Sequence, residues 1–246
     1  MPATFFTRIA LAAATLAVAG QTASAASAAT VETDRECYLQ RTGTNVAVRG
    51  LGFTPGAPFD VVLNGEKLAG GASTMDADGA MAGNFTPPPL GKSVVQRSFR
   101  LGLTTADAAP TTQFTVTRLL ASFWPAKGPV TKLRVRFSLF GFGIGGPVDQ
   151  AYVHYVAPNG HLMKTVALGQ PTGQCGAIPK TAKRRLFPFT RTCAGSWQLQ
   201  FDTRRRYSPG SAKSSFLYYT VRVQVRHSAA TAKRLETARL ACSPRP

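Results

Sequence analysis

Among residues 118–246 the groups able to move a proton are few: His154, His161 and His227 as bases, and Asp149, Asp202 and Glu236 as acids. A hydrolase would need a nucleophile, a base and an acid that orients it. The best pair available is His154, in the alternation Tyr152, His154, Val156, facing Asp202 across a sheet. No second motif accompanies it. The chain has no G-x-S-x-G, no H-E-x-x-H, no P-loop, and no G-x-G-x-x-G opening a helix. No catalytic residue is therefore assigned, and a secreted hydrolase of unrecognised type using His154 and Asp202 is kept only as the alternative.

Metal and cofactor chemistry is equally thin, and no cofactor or metal is expected. Asp76-Ala77-Asp78-Gly79 offers two carboxylates to a hard cation, but Pro87 stands where a calcium loop would place its glutamate. An aspartate turn is the simpler reading. The four cysteines, Cys37, Cys175, Cys193 and Cys242, lack zinc-ligand spacing and suit disulfides. Cys175 and Cys193 bracket a turn-rich segment and are expected to pair, which leaves Cys37 for Cys242 by elimination. Six aromatic residues, Trp124, Trp197, Phe187, Phe189, Tyr218 and Tyr219, are candidates for a sugar-stacking platform. Trp197 alternates with Leu199 and Phe201 and reads as core. Phe187 and Phe189, inside the expected disulfide loop beside Arg184 and Arg185, are the better surface candidates.

The strongest chemical signal is charge. Residues 26–117 hold seven Lys and Arg against eight Asp and Glu, whereas residues 118–246 hold twenty-one against three. A uniform compositional bias would not produce that division. The densest clusters are the loops Lys180, Lys183, Arg184, Arg185 and Arg204, Arg205, Arg206, read here as anion-binding. Strand alternation adds Lys132, Arg134 and Arg136, then Arg222 and Arg226; if these two strands share a sheet, they present one basic surface. The expected partners are anionic cell-envelope polymers such as wall teichoic acid or acidic polysaccharide, with anionic lipid headgroups and extracellular nucleic acid as the other polyanions a surface of this sign attracts. Binding by counterion release is salt-dependent and chemically unselective, so no specific nucleic-acid partner is expected. Oligomeric state is not legible.

The elements that must position these residues follow from a self-match. Gly52 to Asp60 (GFTPGAPFD) aligns without a gap on Gly141 to Asp149 (GFGIGGPVD), with five of nine positions identical at an offset of 89. Each copy follows an alternating strand, Val46 and Val48 or Leu133, Val135, Phe137 and Leu139. Each precedes another strand that runs to Asn-Gly, at Asn64-Gly65 and Asn159-Gly160. Further strands are read at Ser93 to Leu103, Gln113 to Thr117, Gly195 to Phe201 and Tyr219 to Val225. A spacing near 90 residues matches one immunoglobulin-like sandwich of ~100 residues. The expected fold is all-β: two tandem immunoglobulin-like antiparallel β-sandwiches at 30–117 and 118–228, with a tail at 229–246 that could form a short helix over Ala229 to Ala241.

The run Gly50 to Gly65 with Asp76 to Gly79, and then Ala151 to Tyr155, Cys175-Gly176, Phe187-Pro188-Phe189 and Gly195 to Asp202, resembles tandem bacterial Ig-like modules of exported, actinobacterial-type proteins. The resemblance implies a fold and an extracellular location and transfers no catalytic residue. Residues 1–25 fit the location: Arg8, the apolar run Ile9 to Val18 and Ala23-Ser24-Ala25 have the order of a cleaved secretory signal. The apolar run is about half of the ~20 residues that span a bilayer, so no transmembrane anchor is expected. The reading is a noncatalytic module, secreted or associated with the cell wall.

Overall fold

The computed structural model describes residues 28–130, 132–144, 146–189 and 192–226. The expected signal segment, the expected tail helix, His227 and Cys242 lie outside these residues. In the first half the strands are β1 (Thr30–Thr33), β2 (Cys37–Leu39), β3 (Val46–Leu51), β4 (Pro58–Leu63), β5 (Glu66–Thr74), β6 (Met81–Phe85), β7 (Gln96–Thr104) and β8 (Thr111–Thr117). They form two sheets, ordered β1-β3-β6 and β2-β8-β7-β4-β5. The second half continues with β9 (Leu120–Trp124), β10 (Arg134–Phe140), β11 (Ala151–Val156), β12 (Leu162–Gly169), β13 (Arg184–Arg185), β14 (Gly195–Asp202) and β15 (Tyr218–Val225). Its sheets are β13-β10-β9 and β12-β11-β14-β15.

The two halves share one wiring. β3 lies between β1 and β6 as β10 lies between β9 and β13, and β8-β7-β4-β5 corresponds strand for strand to β15-β14-β11-β12. This is the fold the self-match implies: two tandem immunoglobulin-like β-sandwiches. The paired strands run antiparallel except β2, which joins β8 in parallel. Each sandwich closes on its own core because alternate residues of facing strands point inward. The first core gathers Val46, Val48, Phe59, Leu101, Leu103, Phe114 and Val116. The second gathers Val135, Phe137, Leu139, Val153, Tyr155, Trp197, Leu199 and Phe201. Gly52 and Gly141, the matched glycines after β3 and β10, both adopt a left-handed backbone, with φ of 75° and 80°. Between the cores, the Arg118 guanidinium donates to Gln40 Oε1 and to the carbonyls of Leu90, Gly91 and Lys92, which fastens the connecting segment to the first sandwich.

The disulfide expectation is corrected. Cys175 is bonded to Cys37, not to Cys193, so Cys37 is not the partner of Cys242. Cys193 is itself disulfide-bonded. The reason lies in the segment between Cys175 and Cys193, which is not a compact loop. It runs along β10, with Ile178 bridging Leu139, the Thr181 and Phe137 backbones joined, Arg184 opposite Val135, and Leu186 N–H on the Leu133 carbonyl. From Leu139 to Leu133 the chain covers about 20 Å at the rise of a strand. Cys175 and Cys193 thus sit toward opposite ends of the sandwich, far beyond the ~7 Å between Cα atoms that a disulfide spans. Cys175 instead faces the first sandwich, where Cys37 opens β2 with its Cα 5.3 Å away. The Cys175 turn fits there because Gly176 packs onto Gly143 more closely than any side chain would allow.

Candidate functional site

The hypothesised histidine–aspartate pair forms. Register sets His154 of β11 opposite Gln200 of β14 and opposite Thr165 of β12. His154 Nε2 donates to Asp202 Oδ1 at 3.1 Å, and Thr165 Oγ1 lies 2.8 Å from His154 Nδ1. A carboxylate only accepts, so Nε2 is the ring nitrogen that donates to Asp202. The carboxylate also accepts from Gln200 Nε2 and the Arg204 N–H, each at 2.8 Å. Gln200 in turn donates to the Ser208 carbonyl and accepts from the Gly210 N–H. The segment after β14 therefore folds back over the outer face of its sheet, with the Tyr207 ring 5.4 Å from the imidazole. Both side chains are 0% exposed. The arrangement is a buried, satisfied polar cluster that holds a loop, and that loop presents exposed Arg204, Arg205 and Arg206. Thr165 and Gln200 escape sequence reasoning, because only strand register brings them to His154.

The basic residues divide in a way the sequence does not show. β10 and β15 belong to different sheets, so the single surface conditional on a shared sheet does not exist. Arg222 is on the sheet overlain by the Arg204–Arg206 loop, whereas Arg134 and Arg136 are on the opposite sheet. Lys180, Lys183 and Arg185 join that opposite face, since their segment flanks β10. Arg134 and Arg185 are direct cross-strand partners. Arg134 donates to the Lys183 carbonyl and Arg136 to the Thr181 carbonyl, so neutral acceptors orient the guanidinium groups without cancelling their charge. Arg184 turns the other way and donates to the Ala167 carbonyl of β12. Among the described residues, no Lys or Arg of the second sandwich forms an ion pair with a carboxylate.

The aromatic platform is corrected. Phe187 is buried and Phe189 packs on the core, with its ring stacked 5.2 Å from the fully buried Trp197. Tyr219 is likewise packed against the core, and Tyr218 meets Phe216 at 5.8 Å. Trp124, at the end of β9 and opposite Arg136, is the exception at 77% exposure. The expected aspartate turn is present: Asp76 Oδ1 accepts the N–H groups of Asp78 and Ala80. Among the described residues no group of three His, Cys, Asp or Glu is placed to hold a metal ion.

No protein-family model and no curated protein sequence matches the chain. Solved structures with which it shares a likeness include the D0-D1 domains of intimin, at 9% identity and a TM-score of 0.28 over 79% of this chain and 97% of that one. A two-domain fibronectin type III segment of chicken tenascin gives 10% and 0.27 over 79% and 97%. The CupB2 chaperone of Pseudomonas aeruginosa gives 11% and 0.25 over 80% and 100%. Strand order and register, rather than these likenesses, define the fold.

Proposed function

We propose that this chain is a noncatalytic module, secreted or held at the cell wall, whose basic second sandwich contacts anionic envelope polymers. The observation that carries the reading is the pair Arg134 and Arg185, set opposite each other on neighbouring strands with no carboxylate between them. Directly opposed like charges destabilise a sheet. Such a pair is a cost to folding that an anionic ligand would relieve. Arg136, Lys180 and Lys183 extend the same face, while Arg204 to Arg206 form a second basic patch on the other sheet. The first sandwich serves as a near-neutral spacer.

The buried His154–Asp202 pair argues for a structural role over the hydrolase alternative. Its hydrogen bonds are all made within the protein, and a substrate would reach the imidazole only if the overlying loop lifted. The test is retention of the mature full-length chain on immobilised wall teichoic acid and on a heparin resin. Arg134→Glu with Arg185→Glu is expected to elute at lower salt and to flatten the dependence of affinity on salt, with the slope falling by roughly 0.7–0.9 for each phosphate that is no longer neutralised. Unchanged elution by a folded double variant would exclude this face, and absence of wild-type binding to both resins would overturn the proposal.

A further inference from the structure

We propose that Trp124 is a ring-stacking residue on the basic face of β13-β10-β9, which makes an acidic polysaccharide its ligand class. The inference rests on the preceding reading of that face as anion-binding. In β9, Ala121 and Phe123 turn inward onto the core, so Ser122 and Trp124 turn outward. In β10, Val135, Phe137 and Leu139 turn inward, so Arg134 and Arg136 share the outward face with Trp124. The register sets Trp124 directly opposite Arg136, and Arg185 directly opposite Arg134. From the strand rise and the spacing between strands, one indole and three guanidinium-bearing residues fall within roughly 12 Å on a single surface.

Trp124 is 77% exposed, and no described ring or guanidinium lies against it. Arg136 opposite is held by the Thr181 carbonyl rather than stacked on the indole, so the ring face stays open. An indole offers a large flat apolar surface with a polar edge, which suits the C–H face of a pyranose. The surrounding cations suit carboxylate or sulfate groups on neighbouring sugars. A polyol phosphate would bring charge but no ring to stack. Single-stranded nucleic acid would favour a row of aromatic rings for successive bases; among the described residues Trp124 is the ring beside these arginines, because Phe123 is turned into the core and Phe140, also at an outward position, is half-buried four residues beyond Arg136.

Three polymers separate these cases: polygalacturonate, with rings and charge; inorganic polyphosphate, with charge alone; and oligo-dT. The full mature chain, Trp124→Ala, Trp124→Phe and Arg134→Glu/Arg185→Glu are titrated with each, with intrinsic fluorescence as one readout. Trp197 is fully buried, so a ligand-induced spectral change reports Trp124. The expected results are a blue shift with polygalacturonate, about tenfold weaker binding for Trp124→Ala, partial retention for Trp124→Phe, and a polyphosphate affinity within about twofold of wild type. Equal affinity of Trp124→Ala and wild type for polygalacturonate would overturn the stacking role, as would an equal loss for both charged polymers. Tryptophan-dependent binding of oligo-dT tighter than that of polygalacturonate would overturn it in favour of nucleic acid. If the double arginine variant alone weakens binding, the basic-face reading stands without stacking; if wild type binds none of the three, the basic-face reading itself fails.

Discussion

A buried polar residue is informative only through its partners, as side chains of both sandwiches demonstrate. His154, Asp202 and Gln200 bond to one another and to the returning loop, so deleting His154 takes a partner from Asp202 and from Thr165, and deleting Asp202 takes one from His154, Gln200 and the Arg204 N–H, in a low-dielectric setting. His154→Ala and Asp202→Ala should each lower unfolding free energy by roughly 1–3 kcal/mol in urea titrations. Neither should alter hydrolysis of ester, glycoside or peptide substrates, because the wild type should show none; turnover that disappears in His154→Ala would restore the hydrolase reading. Tyr155 makes the opposite case: its hydroxyl is buried without a hydrogen-bond partner among the described residues, and burial pushes its ionisation upward. Tyr155→Phe should leave stability unchanged or raise it by up to about 1 kcal/mol. Tyr38 is different again, since its hydroxyl donates to Asp34 Oδ1, and burial followed by that bond pushes its pKa up to about 12. A tyrosine whose folded pKa is raised stabilises the fold fully below its unfolded value near 10 and loses that contribution as pH rises through about 12. Alkaline unfolding of Tyr38→Phe should therefore depend less on pH across that window.

Strands were legible where alternation was strong, and that is why the repeat could be read at all. Val46 and Val48, Val135 to Leu139, and Trp197 to Phe201 mark β3, β10 and β14 by a period of two, and each is buried as that period requires. The edge beside β10 was not legible. Residues 178–186 follow it through an isolated bridge, side-chain contacts and a two-residue strand, so their composition reads as a turn-rich loop. That loop-like composition is what suggests a Cys175–Cys193 pairing and a surface position for Phe187 and Phe189. It also concealed that Lys180, Lys183 and Arg185 belong to the same face as Arg134 and Arg136. The His154–Asp202 pair was legible because both residues lie on strongly alternating strands. A prediction follows from the opposed Arg134 and Arg185. Arg185→Glu replaces a like pair with an opposite one and should raise stability by roughly 0.2–1 kcal/mol at low salt, while weakening retention on the polyanion resins. Thermal midpoints at low and high salt check the sign, since the gain should shrink as salt screens it. A loss of stability at low salt would mean that the two side chains do not meet.

At the scale of the whole molecule, two independent cores are tied at their junction by the Cys37–Cys175 bond, which has a sequence separation of 138. Thr115 Oγ1 donates to Gln174 Oε1 beside it at 3.3 Å, and the neighbouring cleft is lined by Arg35 and Glu36 of one sandwich and by Pro147, Gln170 and Thr172 of the other. These contacts are sparse and polar, and interfaces of that kind leave domains free to move unless something constrains them. The disulfide supplies the constraint, and it closes a loop containing nearly all of the first sandwich. On a chain-entropy estimate such a long loop removes about 5 kcal/mol of freedom from the fully unfolded chain. The effect should fall on the relation between the sandwiches more than on either core, because Cys37 and Cys175 lie at the ends of elements rather than within the central strands. Peptide mapping without reduction should recover Cys37 and Cys175 in one linked species. Cys37→Ser with Cys175→Ser should keep the far-ultraviolet spectrum of a β protein and the shielded emission of Trp197. Its small-angle scattering should broaden toward larger dimensions, and its thermal unfolding should separate into two transitions. If the double variant keeps the compact scattering profile and a single transition, the polar contacts around Thr115 and Gln174 are sufficient to fix the two sandwiches, and the disulfide is dispensable for their arrangement.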